Sequence, residues 1–424
     1  MATADYSRRL LDDVLDDLLP ELPAVSIQGA KGVGKTATAA QRATRSIRLD
    51  VGEERAAFAA SPFDLTPAGT LLLDEWQRYP ESWDRVRRAV DDGAPPGSFI
   101  LTGSTAPKGG AVHSGAGRIV PLRLRPLSLA ERGLDRPTVN LGALLRGEQD
   151  EIGGETRVGL SDYVEEIFAS GFPGIRPLSA RARRARLDGY IDQAVSREFA
   201  EQGLNVRRPQ TLLAWLRAYA AATATSTSYS NILDASTAGV SQKPAQSTTL
   251  VYRDVLARAF LLDPLEAWTP TLRPLDRLAT TPRHFLADPA LSARLLGLDQ
   301  AAVTAGADRA GGPLNSGTML GALFEALVVQ SVNAYAAGLG AQTGYLRQRD
   351  GRHEVDLIVQ RGTRLVGLEV KLSRTVGDSD VRHLLWLKQR TGDLMADMAV
   401  VTTGAHAYRR PDGVAVVPAA LLGP

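Results

Sequence analysis

Gly29-Ala30-Lys31-Gly32-Val33-Gly34-Lys35-Thr36 follows the apolar run Ala24–Ile27 and opens the helical stretch Thr36–Arg45. These residues fit G-x-x-x-x-G-K-[ST], and a strand before with a helix after is the context that gives the pattern meaning. The glycines let backbone N–H groups curl around phosphate oxygens, and the helix N-terminus adds its partial positive charge. In this arrangement Lys35 contacts the β- and γ-phosphates and the Thr36 hydroxyl ligates Mg²⁺. Residues 29–36 are therefore expected to hold ATP with Mg²⁺.

A second motif lies downstream. Thr70-Leu71-Leu72-Leu73-Asp74-Glu75 is an apolar run ending in two acids. On a strand, that ending puts Asp74 where it holds Mg²⁺, usually through water, and Glu75 where it orients or deprotonates the attacking water. Short apolar runs bounded by turn residues predict strands at Val25–Gln28, Ile47–Asp50, Leu71–Asp74, Phe99–Thr102 and Ile119–Leu124, after a leader helix over Ser7–Leu19. Strands alternating with helices predict a parallel sheet with ligands at the strand carboxyl ends. The run Ser98–Leu101 delivers Thr102 and Ser104 to that edge, where either hydroxyl can sense the γ-phosphate or orient water. Arg118 opens the next strand, either as an arginine finger for this chain or a neighbour, or as a surface arginine.

Composition sets the wider frame. With 424 residues, about two to four domains are expected. Lys plus Arg is 49 and Asp plus Glu is 47, so the net charge of +2 gives no global case for nucleic acid or a membrane surface. The absence of cysteine excludes disulfides and thiolate metal sites and fits a reduced, cytoplasmic setting. The polar, acidic stretch Met1–Asp17 has no apolar signal-peptide core. No run approaches the ~18 apolar residues of a membrane helix, so no membrane partner is expected.

Residues 1–125 form the first domain in this reading. Residues 126–208 read as a helical, arginine-rich connector or lid. Arg181, Arg183, Arg184 and Arg186 cluster there, but Asp188, Asp192 and Glu198 follow, which predicts a solvated helix face rather than a nucleic-acid patch. Residues 209–300 carry three helices and a short β-like tail. Leu212, Leu213, Leu216 and Tyr219 have helical spacing, and a Ser/Thr-rich turn occupies Thr223–Ser230. Ile232 starts a second helix, Gly239 breaks the chain, and Ser247–Phe260 forms a third. The order resembles a winged helix-turn-helix. Ala302–Gly317 reads as a linker or loop. Residues 315–424 are the last domain, with helices over Thr318–Ala336 and Ser379–Gln389, paired strands between them, and a strand over Ala399–Thr402.

That last segment carries its own constellation. Glu354, Asp356 and Ile358 share one strand face; Gly367, Glu369 and Lys371 share another, and the turn at Arg361-Gly362 can bring Asp356 beside Glu369 and Lys371. Glu325 sits among Leu323, Phe324, Val328, Val329 and Val332, where an acid is costly unless paired or metal-bound. Glu325, Asp356 and Glu369 can supply carboxylates to Mg²⁺ or Mn²⁺, and Lys371 an ammonium for a phosphate under attack. This is the layout of the PD-(D/E)-x-K nuclease core; a set of salt bridges inside an α/β sandwich is the plainer alternative.

Taken together, the chain resembles bacterial and archaeal AAA-type ATP-binding proteins that end in a domain of unknown function. The resemblance rests on the loop at 29–36, Leu72-Leu73-Asp74-Glu75-Trp76-Gln77, Phe99-Ile100-Leu101-Thr102-Gly103-Ser104 and Pro126-Leu127-Ser128-Leu129-Ala130-Glu131. It also rests on Gly171-Phe172-Pro173, His284-Phe285-Leu286-Ala287-Asp288, Gly321-Ala322-Leu323-Phe324-Glu325, Glu354-Val355-Asp356 and Leu368-Glu369-Val370-Lys371. It implies an α/β chain: an AAA-like P-loop NTPase sheet, a helical and winged-helix middle, and a restriction-endonuclease-like α/β end. Two functions follow as expectations. One is ATP hydrolysis linked to nucleic acid, with DNA as candidate partner. The other is a nucleotide-dependent switch or interaction protein with an inactive nuclease fold used for binding; unknown proteins and further copies of the chain are the other candidate partners. The long Ala/Thr/Ser turn Ala218–Ser228 departs from the winged-helix pattern and weakens the case for sequence-specific DNA reading.

Overall fold

The computed structural model describes residues 6–61, 69–105, 117–196, 199, 209–237, 246–269, 280–307, 316–348 and 351–424. The chain divides into two compact units, residues 1–125 with 258–260, and residues 126–257 with 261–424.

The first unit begins with helix α1 (Leu10–Leu18) and then alternates strand and helix: β1 (Ala24–Gln28), α2 (Lys35–Ala40), β2 (Arg45–Arg48), α3 (Gly52–Ala60), β3 (Leu71–Asp74), α4 (Glu81–Asp91), β4 (Phe99–Gly103) and β5 (Val120–Arg123). All five strands are parallel, in the order β2-β3-β4-β1-β5. Leu71, Leu72 and Leu73 are all buried, as a parallel strand covered on both faces requires. At the edge strand β2 only Ile47 is buried, and the strand starts two residues earlier than its apolar content predicts. On one face of the sheet Phe58, Leu73, Trp76, Trp83, Val86, Phe99 and Leu101 form one apolar cluster. Because β4 lies between β1 and β3, the carboxyl ends of those three strands meet at one place.

The second unit has helices α5 (Leu129–Arg132), α6 (Leu141–Arg146), α7 (Leu160–Ala169), α8 (Ala180–Ser196), α9 (Pro209–Ala221), α10 (Tyr229–Ser236), α11 (Gln246–Arg258), α12 (Pro289–Leu295), α13 (Gln300–Ala307), α14 (Ser316–Gly338) and α15 (Asp378–Thr391). Its strands are β6 (Val139–Asn140), β7 (Gly154–Glu155), β8 (Gln342–Arg347), β9 (Glu354–Arg361), β10 (Arg364–Val370), β11 (Met395–Thr402), β12 (His406–Arg409), β13 (Ala415–Pro418) and β14 (Leu422–Gly423). A mixed sheet runs β7-β12-β13-β11-β10-β9-β8, and β14 pairs with β6. The antiparallel hairpin β9–β10 and the parallel pair β10–β11 form its centre.

Several expectations change here. The 126–208 segment contributes β6 and β7 to sheets otherwise built from the carboxyl-terminal residues, because its short extended pieces find edge partners there. The start of the expected linker is helical: Gln300–Ala307 form α13. Gly239, Glu198 and residues 308–315 lie outside the described residues. The three helices α9–α11 are present, and the tail after them forms bridges Leu262–Leu286 and Leu265–Arg283. Within α14, Met319–Gly338 is long and apolar enough to cross a membrane, contrary to the sequence reading, but most of it is buried inside the fold as a core helix.

Candidate functional site

The nucleotide loop is shaped by its glycines. Gly34 caps α2 with φ +102°, a region that a side chain makes costly. At Gly29 the backbone passes so close to β5 that a Cβ would lie 2.2 Å from the Leu124 carbonyl oxygen. The loop thus turns back over the end of β1 and leads directly into α2. Lys35 is buried, and its Nζ donates to the carbonyl oxygens of Gly29 and Ala30 at 2.9 Å each, so the ammonium sits inside the curl. Arg9, also buried, donates to the Val33 carbonyl at 2.9 Å and the Arg125 carbonyl at 2.8 Å, bracing the loop from outside. Nothing in the sequence pattern singles out Arg9.

The end of β3 meets this loop directly. The Thr36 hydroxyl donates to Asp74 Oδ1 at 2.7 Å, and the Thr102 hydroxyl at the end of β4 donates to the same oxygen. Glu75 adopts the left-handed conformation, φ 53° and ψ 49°, and its N–H points at Thr102 Oγ1, 3.4 Å away. Its carboxylate accepts from the Gln77 amide, which also donates to Ser104 Oγ at 3.1 Å. Lys35, Thr36, Asp74, Glu75, Thr102 and Ser104 are therefore gathered at one edge of one sheet. Gln77 belongs with them; it closes the landmark Leu72–Gln77, but nothing in that pattern gave it a role of its own.

Arg118 does not join them, which corrects its reading as a finger for its own chain. It precedes β5, whose first residue Val120 is level with Val25 at the start of β1, whereas the loop follows the far end of β1. At ~3.3 Å per residue that places Arg118 roughly 15 Å or more along the strand direction from the loop. Its Nε instead donates to Asp91 at 2.8 Å on the surface.

In the second unit Glu325, Asp356, Glu369 and Lys371 come together, but around a group the sequence reading missed. The buried Arg283 guanidinium pairs with Glu325, with Glu354 and, at 3.1 Å, with Asp356, and it lies over the Tyr345 ring at 5.3 Å. Asp356 Oδ2 accepts from the Val370 N–H at 2.9 Å, and Lys371 Nζ donates to Glu369 at 3.0 Å. Burial alone would raise Asp356, but the charges of Arg283 and Lys371 outweigh it and hold the carboxyl below its usual range. Burial and then the Asp356 charge push Glu369 well up. Burial pushes Glu325 to about 8 against the pull of Arg283. Among the described residues no three His, Cys, Asp or Glu side chains are grouped to hold a metal ion. The cation facing Glu325 and Asp356 is a guanidinium.

The landmarks around this cluster have structural work. Asp288 caps α12 by accepting from the Ala290 N–H at 2.9 Å, and also accepts from the Gly171 N–H at 2.7 Å and from Gln330 at 3.3 Å. Ser128 and Glu131 form the capping box of α5, and the Leu129 N–H donates to Ser331 on α14 at 3.0 Å.

Comparison with known proteins follows the same division. Residues 21–132 match the AAA domain family, residues 160–302 a domain of unknown function (DUF8612) and residues 320–422 another (DUF4143). The chain is 26% identical over 420 residues to the uncharacterized proteins Rv2008c of Mycobacterium tuberculosis and Mb2031c of Mycobacterium bovis, covering 95% of this chain and 81% of each relative. Among solved structures, the Walker-type ATPase PABY2304 of Pyrococcus abyssi overlaps 69% of this chain and 96% of its own, with 15% identity and a TM-score of 0.41. The ORC2 protein of Aeropyrum pernix, in ADPNP–ADP complexes, overlaps 71% and 93%, with 16% identity and a TM-score of 0.29. These overlaps are loose. The parallel sheet, its loop and the AAA match make the first unit a P-loop ATPase-type domain.

Proposed function

We propose that this protein binds ATP with Mg²⁺ and hydrolyses it, and that its second unit is a binding module. The observation that carries the first part is the convergence of Thr36 and Thr102 on Asp74 beside the Lys35 loop. Lys35 would turn its donors from the loop carbonyls to phosphate oxygens. Thr36 and Asp74 would hold the metal, which supplies neutralising charge at those oxygens. Glu75 would take the proton of the attacking water, and Thr102 and Ser104 would fix the geometry around it. Glu75→Gln is expected to keep ATP binding and slow turnover by ~10²-fold or more. Lys35→Ala is expected to abolish binding. Unchanged turnover in the first variant removes Glu75 from that role, and unchanged binding in the second overturns the nucleotide site.

For the second unit, the PD-(D/E)-x-K-like arrangement supports two readings, and Arg283 favours binding over cleavage. A guanidinium that satisfies Glu325 and Asp356 leaves them poorly disposed to a divalent ion. The exposed Leu250 and Val251 on α11 likewise suit a protein contact better than a DNA backbone. Plasmid DNA incubated with Mn²⁺, with and without ATP, decides the point. No nicking is expected from the wild type; nicking that is lost in Asp356→Ala would make the module a nuclease. DNA binding that falls steeply with salt would restore nucleic acid as the partner.

A further inference from the structure

We propose that Gln77 is a positioning residue that ties the Glu75 carboxylate to Ser104, so that hydrolysis depends on the end of β4 as well as on the P-loop. The inference rests on the ATPase reading and names a control element within that site.

Gln77 lies in the turn Trp76–Arg78 that follows β3. Its amide nitrogen has two hydrogens, and both have acceptors: the Glu75 carboxylate and Ser104 Oγ at 3.1 Å. Its carbonyl oxygen is buried and has no hydrogen-bond partner among the described residues, and the same holds for the Trp76 indole N–H. An unpartnered buried carbonyl is costly, so the amide is held in this orientation by what its nitrogen reaches. Both groups press on Gly103. A Cβ there would lie 2.5 Å from Trp76 Nε1 and 2.9 Å from Gln77 Oε1, so the last residue of β4 is shaped to admit this turn.

Glu75 itself is backbone-strained. A non-glycine residue at φ 53° is strained and persists only where its surroundings fix it. Thr102 faces its N–H on one side, and the Gln77–Ser104 bridge holds its carboxylate on the other. Every one of these restraints comes from β4 or the turn leading out of β3. Since β4 separates β1 from β3, Ser104 stands between the nucleotide loop and Glu75. A change at Ser104 on meeting the terminal phosphate would therefore pass through the Gln77 amide to the base.

The test uses the full chain and compares wild type, Gln77→Met, Gln77→Glu, Ser104→Ala and the Gln77→Met/Ser104→Ala pair. Steady-state ATPase, nucleotide affinity and Tm are measured for each. Gln77→Met keeps the volume and loses both donors, so kcat is expected to fall about 10²-fold, the scale of a misplaced catalytic group. Nucleotide affinity and Tm should hold. Gln77→Glu keeps the shape but sets a carboxylate against Glu75, and its kcat should fall at least as far. The paired variant should lose less than the product of the two single losses, since both changes cut one bridge. Wild-type kcat in Gln77→Met, or losses that multiply in the pair, overturns the proposal. Losses in affinity and Tm that match the loss in kcat assign Gln77 to packing and also overturn it. Failure of the ATPase reading would appear separately, as a wild type that neither binds nor turns over ATP.

Discussion

Thr36 and Asp74, 38 residues apart, are joined by a hydrogen bond of 2.7 Å between the first turn of α2 and the end of β3. On the proposed reading the hydroxyl and the carboxylate would share one metal position without moving the helix or the strand. Thr36→Ala is therefore expected to lose a ligand rather than stability. The Mg²⁺ concentration for half-maximal turnover should rise about tenfold or more, the worth of one hydrogen bond to a charged group. A Mg²⁺ titration of ATPase activity checks it, and an unchanged midpoint would remove Thr36 from the metal.

Gly34 is the conformational weak point of the loop. An alanine at φ +102° carries a strain of ~1–2 kcal/mol, and the chain can relieve it by opening the turn. Gly34→Ala should weaken nucleotide binding more than it lowers Tm, measured by titration with a fluorescent nucleotide and by thermal unfolding. A variant that binds normally would show that the curl does not depend on that conformation.

The arrangement of the candidate nucleotide site was largely legible in the sequence because its parts are local. A strand, a glycine turn and a helix start are adjacent in the chain, and an apolar run ending in Asp74 and Glu75 announces its own strand. Gln77 and Arg9 were not legible, since their side chains reach groups outside their own elements: Ser104 for Gln77, and Val33 and Arg125 for Arg9. Arg118 precedes its strand, and in a parallel sheet that is the amino edge, opposite the loop, so the finger reading for its own chain was open to rejection from the sequence and the surface reading fits. In the second unit the faces of β9 and β10 were read from alternation, and the pairing of Gly367 with Ile358 places Asp356 beside Glu369. Arg283 escaped because its partners lie 42 to 73 residues away, and a lone arginine before His284 carries no pattern. The short strands β6, β7, β12 and β14 are too brief for periodicity to show.

Asp288 holds three elements at once: the N-terminus of α12, the backbone at Gly171 and the Gln330 amide on α14. Its side chain is fully buried. Asp288→Ala removes a cap and leaves a buried N–H without its acceptor, which together should cost about 2–4 kcal/mol. Denaturant unfolding of the second unit measures this. Nucleotide affinity of the P-loop is expected to stay as in the wild type, and its loss alongside would mean that Asp288 serves the nucleotide site.

Glu325 gives the second unit a pH signature. Burial, relieved in part by Arg283 and aggravated by Asp356, raises its carboxyl from 4.5 to about 8. A group raised in the folded state favours folding while both states are protonated, below about 4.5, and loses that contribution as pH climbs through 8. Between those values the unfolded chain releases a proton that the folded chain keeps, so stability falls by up to ~1.4 kcal/mol per pH unit. Asp356 works in the opposite sense: its lowered carboxyl contributes stability that is lost only as pH falls through the acid range. The window from pH 5 to 8 therefore separates the raised acids from Asp356; His284 and His383, both lowered first by burial, also titrate there, in the opposite sense, and are common to the two proteins compared. Glu325→Gln removes one of them while keeping an acceptor for Arg283, so its Tm should decline less from pH 5 to 8 than that of the wild type. Parallel Tm curves for the two proteins across that window would mean that Glu325 is ionised throughout, and that the Arg283 guanidinium alone balances the carboxylates around it.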